Sequence, residues 1–172
     1  MNRKKQRFIH QVLLMLLVVG AGLLPSCQQD ELCEDATQNP VGVRFYSRAE
    51  GNSSPATLDS LTVYGVGLPD DSIYANQQQV QALELLLDSS KDSTGFVLVF
   101  PQATDTIWLN YQRHSTMISV ECGFMAEYTL LSARFTDNLI DTLAINNSQV
   151  TNIADEHLQI FIPAATDPDP EP

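Results

Sequence analysis

Asn76–Asp88 reads NQQQVQALELLLD, and the fold class turns on which period its apolar residues follow. On a helix, Val80, Leu83 and Leu87 share a stripe, and Gln, Ala, Glu and Leu all favour helical backbone. On a strand, Leu83, Leu85 and Leu87 share one face instead. Seven residues later begins the run Phe96-Val97-Leu98-Val99-Phe100, and a hairpin accounts for both stretches together. The strand reading is therefore preferred, with one short helix near 77–88 as the competing alternative.

Outward from this stretch the period-two pattern recurs. Val41, Val43 and Phe45 share a face, as do Leu61 and Val63, and Ile107, Leu109 and Tyr111. Phe96 to Phe100 is apolar on both faces, which suits a central strand covered on both sides. Phe124 to Phe135 is long enough for a bent or bulged strand, and Ile140–Ile145 and Leu158–Ile162 close the series. About 7–9 strands with turn signals between them point to an all-β chain: a single antiparallel β-sandwich, immunoglobulin-like or similar. Residues 40–163 are its expected extent. Residues 27–39 read as an acidic tether, and 164–172, alternating proline with acid, as a disordered tail.

Charge narrows the partners. The chain of 172 residues has 9 Lys and Arg against 21 Asp and Glu. Four of the basic residues, Arg3, Lys4, Lys5 and Arg7, precede an apolar run, so the chain from residue 27 keeps five basic groups against 21 acidic ones, a net charge of −16. A polyanion binder must neutralise phosphates with basic groups, so no nucleic acid is expected as a partner. Polybasic attachment to anionic lipid is excluded on the same ground.

The first 26 residues have a basic start, an apolar run from Val12 to Leu24, and small or turn-forming residues ahead of Cys27. This is the layout of a signal peptide. The run is 13 residues long, whereas crossing the hydrocarbon core takes roughly 20. Leu24-Pro25-Ser26-Cys27 resembles a bacterial lipobox, in which the cysteine is acylated and becomes the new N-terminus. The resemblance implies that Cys27 carries the lipid and that the membrane is reached through acyl chains, which bury enough methylene groups for stable attachment. Gln28-Gln29-Asp30-Glu31 resembles the short acidic export signals of some Bacteroidota lipoproteins. A lipid anchor in the outer membrane is expected, with the surface and the periplasmic face both open.

Cys33 and Cys122 remain, in a compartment that permits oxidation. A disulfide between them is the natural reading. It would close a loop of about 90 residues, with a ceiling of roughly 4–5 kcal/mol in the chain-entropy account. Structural free thiols and a nucleophilic Cys122 stay as alternatives.

Catalytic motifs are missing from the pattern. No nucleophile elbow, Ser/His/Asp order or phosphate loop is recognisable, and His114 and His157 lack metal-ligand spacing. The expectation is a protein that is not an enzyme, with no metal and no cofactor. Among the aromatics, Tyr74 follows the loop-like Pro69-Asp70-Asp71-Ser72-Ile73 and, with Trp108, is the candidate ligand platform. Five tripeptides read Asp, then Ser or Thr, then an apolar residue or Thr, at Ser60, Ser72, Ser93, Thr106 and Thr142. They resemble the O-glycosylation sequon of exported Bacteroidota proteins. Asp and Ser opening a strand after a turn account for the same spelling. Ser72 and Ser93 have the most loop-like surroundings.

The lipobox-like Cys27, then Cys33, then Leu61-Thr62-Val63-Tyr64-Gly65-Val66-Gly67, and finally Ile118-Ser119-Val120-Glu121-Cys122-Gly123-Phe124, make the chain similar to a family of small Bacteroidota lipoproteins without assigned function. The resemblance implies lipidation, an envelope location and a β-rich body, and supplies no catalytic residue. The expected role is a non-catalytic binding or assembly module whose partner is an unidentified envelope protein or glycan. The alternative is a surface lipoprotein that binds carbohydrate and feeds a glycan transporter.

Overall fold

The computed structural model describes residues 39–49, 52–120 and 122–164. The expected signal segment 1–26, Cys27, Cys33, the tether up to residue 38 and the tail from residue 165 lie outside the described residues.

Eleven strands and no helix form the described residues. In chain order they are β1 (Val41–Ala49), β2 (Asn52–Pro55), β3 (Leu58–Gly65), β4 (Ser72–Val80), β5 (Ala82–Leu85), β6 (Ser93–Val99), β7 (Thr104–Ser119), β8 (Gly123–Phe135), β9 (Thr142–Ile145), β10 (Gln149–Val150) and β11 (Leu158–Pro163). One sheet runs β2-β1-β11-β9, with β5 also on β1; the other runs β10-β8-β7-β6-β3-β4. The two pack face to face as a sandwich. The alternating residues read from the sequence supply the core: Val41, Val43, Phe45, Leu61, Val63, Ile107, Leu109 and Tyr111 are all buried. Each large apolar side chain removed from water contributes about 1.5–3 kcal/mol, which is why the period-two pattern decides the fold.

The preferred strand reading of residues 77–88 holds, and two details differ from expectation. The helix alternative near 77–88 is overturned: β5 continues as a strand, with Leu83, Leu85 and Leu87 buried and Glu84 and Leu86 outside. Here burial of three leucines on one face outweighs helix propensity, which is a weaker term. The strand number is eleven rather than 7–9, because β2 is exposed along its whole length and β10 has two residues, so neither shows an alternating period. Finally the sandwich is only mostly antiparallel, since β1 and β11 pair in parallel from Val43–Leu158 to Arg48–Pro163.

β1 is the strand on which its sheet is assembled. One edge takes β11; the other is divided, with β5 along Val41–Arg44 and β2 along Tyr46–Ala49. Phe45 is the point of division, its N–H donating to the Gln81 carbonyl and its carbonyl accepting from the Ala56 N–H. The chain reaches β5 by bending out of the other sheet. Asn76 and Gln79 in β4 have φ of 47° and 55°, a left-handed backbone; the pairing with β3 shifts register beside Asn76, and Val80 at the strand's end is buried.

The return from β8 to β9 is held by a buried charge. Asp105, with no exposed surface, accepts the Thr136 hydroxyl at 2.7 Å and the N–H groups of Asn138, Leu139 and Ile140 at 2.9, 2.7 and 3.0 Å. Burial alone would raise its pKa, but these donors outweigh it and hold the carboxyl below its ordinary value. Because the folded-state value lies below the unfolded one, the stabilisation is complete above about pH 4 and fades as pH falls through the folded value. Asp105→Asn presents an amide N–H₂ to N–H donors and is expected to lower stability by about 2–4 kcal/mol at pH 7. Urea unfolding at pH 7 and pH 3 checks this: the gap between the two proteins should narrow in acid, and an equal gap at both would refute the ionised-acceptor account.

Candidate functional site

Several polar side chains that could carry chemistry are occupied in holding backbone. His157, 1% exposed, accepts the Gly42 N–H on Nδ1 at 2.9 Å, so Nε2 carries the proton and donates to the Gln149 carbonyl at 3.0 Å. Its own backbone N–H donates to the Gly42 carbonyl. Gly42 has to be glycine here, because a Cβ would fall inside the van der Waals radius of the Asp155 carbonyl oxygen. Tyr111 donates its hydroxyl to the Asp88 carbonyl at 2.8 Å and meets Thr94 Oγ1 at 2.7 Å. Burial raises the Tyr111 phenol above its usual pKa. Arg113 adds to the same turn, its Nε donating to Asp92 and its Nη1 to the Ser89 carbonyl.

A cleft of about 590 Å³ opens beside β1 and β5 and is lined by Arg44, Tyr74, Leu83, Glu84, Asp155 and Glu156 among others. Within it Arg44 and Glu156 are matched to one another. The Glu156 carboxylate receives Arg44 Nε at 3.0 Å and the Tyr46 hydroxyl at 2.8 Å on one oxygen, and the Gln159 amide on the other. Burial, and then the carboxylate that accepts its proton, raise the Tyr46 phenol. Asp155 is held low by the Asn147 amide and the Glu156 N–H. Among the described residues no three His, Cys, Asp or Glu side chains converge as a metal site would require.

The residues singled out from the sequence are dispersed. Tyr74 lies in β4 and not in a loop; it is half-buried against the core, and its hydroxyl donates to the Glu84 carbonyl and accepts the Glu84 N–H, both near 3 Å. It thereby straps the edge of one sheet to the edge of the other while its ring lines the cleft. Trp108 pairs in register with Gly95 on one side and Arg134 on the other. A Cβ on Gly95 would come within 2.8 Å of the indole, so the ring covers that glycine, with the Arg134 guanidinium 5.8 Å from its centroid. The structure does not bring Tyr74 and Trp108 together: the first is on the edge strand, the second in the middle of the same sheet.

Of the five sequon hydroxyls, Ser72 and Ser93 are exposed at the first residues of β4 and β6. Ser60 and Thr106 are half-buried inside their strands, and Thr142 is bonded to Arg48 and Asp141. His114 is exposed on β7 and meets Thr129 at 3.0 Å. Cys122 sits in the turn between β7 and β8, with its N–H on the Ser119 hydroxyl.

Sequence reasoning passed over two features. One is Asp105, spelled as part of a turn-like Asp-Thr-Ile. The other is the outer half of the β7–β8 hairpin, where every residue from Gln112 to Met117 is exposed and Met117 pairs with the equally exposed Phe124. The available signal was length: sixteen residues in β7 exceed what the sandwich can cover.

Residues 60–162 match a family of unknown function. No curated protein and no solved structure matches the chain.

His157→Phe keeps the ring volume but leaves the Gly42 N–H and the Gln149 carbonyl unpaired in a buried place. A loss of about 2–4 kcal/mol is expected in urea unfolding. Tyr74→Phe should be milder, about 1–2 kcal/mol, since water can reach the freed Glu84 groups at the rim. Equal stability of wild type and His157→Phe would mean that the imidazole is not the fastener described.

Proposed function

The chain belongs to DUF6452, a family of unknown function, and from that premise we propose that it is a lipid-anchored cell-envelope protein acting as a non-catalytic binding or assembly module. Membership supplies no activity, so the reading rests on this chain's own residues. Acylation of Cys27 after removal of residues 1–26, an outer-membrane location and a Bacteroidota source are parts of the same proposal, drawn from the lipobox-like Leu24-Pro25-Ser26-Cys27. So is the pairing of Cys33 with Cys122.

The observation that carries the binding reading is the commitment of reactive groups to scaffold contacts. His157, Asp105 and Tyr111 hold buried backbone, and the cleft's Glu156 is neutralised by Arg44 with both oxygens occupied. A general base or nucleophile needs a lone pair free to meet substrate. What these residues leave for function is surface shape and surface charge.

The carbohydrate-binding alternative keeps one supporting observation, the Tyr74 ring in the wall of the 590 Å³ cleft beside Arg44 and Glu84. Aromatic and charged groups side by side suit a sugar. Arg44→Ala should then abolish glycan-array signal while Tyr74→Phe keeps it.

Crosslinking in intact envelopes followed by capture of the native protein tests the leading proposal. A specific protein partner is expected, and a repeated failure to recover one would overturn it. Intact mass of the purified mature chain is expected to show acyl chains on Cys27, two hydrogens fewer for the Cys33–Cys122 pair, and any sugar on Ser72 or Ser93. A chain that still begins at Met1 would refute the anchor.

A further inference from the structure

We propose that the tip of the β7–β8 hairpin is a lipid-contacting surface: Met117, Val120 and Phe124 rest in the interfacial layer of the membrane that holds the protein. The inference deepens the anchored reading and rests on it.

The first ground is where the apolar face of the hairpin goes. Successive pairs on one face are Tyr111–Leu130, Arg113–Tyr128, Ser115–Ala126 and Met117–Phe124. The inner apolar members are buried, Tyr111 1% exposed, Leu130 4% and Tyr128 5%, while Arg113 beside Tyr128 is exposed. Farther out the same face leaves the sandwich, and Met117 and Phe124 are 54% and 66% exposed, with Val120 in the turn at 83%. Three large apolar side chains gathered on one projecting tip mark a contact surface, since scattered single residues are the ordinary case.

The second ground is charge. Residues 106–136, which include most of the hairpin, hold two basic groups, Arg113 and Arg134, against two acidic ones, Glu121 and Glu127. The whole net charge of −16 from residue 27 onward therefore lies elsewhere on the chain. An anionic headgroup layer repels that remainder most and leaves the hairpin tip, with Glu121 as its one charge between Met117 and Phe124, as the part that can approach. A partner protein with a basic surface would be drawn to the acidic remainder instead.

The third ground is the tether. Asn39, where the described residues begin, donates its side-chain amide to the Ala126 carbonyl at 2.7 Å, and Ala126 is one inward pair from Met117–Phe124. Eleven residues lie between Cys27 and Asn39, a reach of at most about 40 Å when fully extended. The hairpin tip thus lies within the tether's reach of the acyl chains. Confinement at that range gives a high effective concentration, so a small apolar tip suffices for contact.

The test uses the full acylated lipoprotein, held by its own anchor in phosphatidylethanolamine and phosphatidylglycerol vesicles with and without acyl-brominated lipid. The wild type has one tryptophan, Trp108, nine residues from Met117, or about 30 Å along β7. Its emission should be insensitive to bromine. In the F124W variant the added emission should fall by about twofold or more, the expected signature of an aromatic at the interface. V120W, at the most exposed of the three positions, gives the same reading if F124W folds poorly by circular dichroism.

Unquenched emission from both variants, with acyl mass confirmed on the Cys27 peptide, overturns the inference and leaves the anchor standing. Absence of acyl mass overturns both. Blue-shifted variant emission without vesicles would assign the tip to the chain's own N-terminal segment. A sedimenting dimer lost in Phe124→Glu would assign it to a second copy. Either of these also overturns the lipid contact.

Discussion

A sandwich without helices has to carry its backbone from one sheet to the other, and each crossing takes N–H and C=O groups off the ladders into or beside the core. Unpaired, each would cost about 1–3 kcal/mol. The fold depends on side chains that meet this demand. Asp105 on β7 receives three consecutive N–H groups of the β8–β9 crossing. Tyr111, six residues along the same strand, takes the Asp88 carbonyl of the β5–β6 crossing. His157 joins the Gly42 N–H of the first sheet to the Gln149 carbonyl of the second. Tyr74 straps β4 to β5 across the edge where the chain changes sheets. Buried polar groups of this kind specify one topology, because each has its partners only when the right crossing is in place.

That commitment shapes what the molecule can offer outside. The edges are poor templates for strand addition. β4 is interrupted by the left-handed Asn76 and Gln79, β10 spans two residues, and the divided edge of β1 is covered by two short strands. On the outer face of the first sheet, Arg48 lies 4.6 Å over Phe161 and pairs with Asp141, while Tyr46 stacks on the same ring. Apolar surface there is screened by charge. The β7–β8 hairpin follows the opposite course, extending an apolar face beyond the part of the sheet that has an opposing layer.

Much of the core was legible because burial on one face of a strand leaves a period of two. Leu83, Leu85 and Leu87 decided against a helix on that ground, and the buried set Ile107, Leu109 and Tyr111 follows from the same rule. Polar residues carry no such period. Asp105 and the Asp of Asp92-Ser93-Thr94 are spelled alike, yet the first is fully buried and the second exposed, because what distinguishes them is a donor loop some thirty-one to thirty-five residues away in sequence. Tyr74 looked like a loop residue because its neighbours Pro69 to Ser72 are turn-formers, and the partner that fixes it, Glu84, is ten residues on across a change of sheet. Trp108 could be placed on a strand, but its role in covering Gly95 depends on cross-strand register, which turn length sets and composition does not.

The parallel pairing of β1 with β11, the one departure from antiparallel order, gives the sandwich a direction. Both strands begin at the end where Asn39 meets Ala126 and where His157 ties Gly42. Both finish together, Arg48 beside Pro163, with the Ala164 N–H on the Arg48 carbonyl. An antiparallel β11 would have sent the chain out where it came in. As built, the six paired residues from Val43 to Arg48 separate entry from exit by about 17–20 Å. The one parallel pairing thus places the entry and the exit of the described chain at opposite ends of the first sheet.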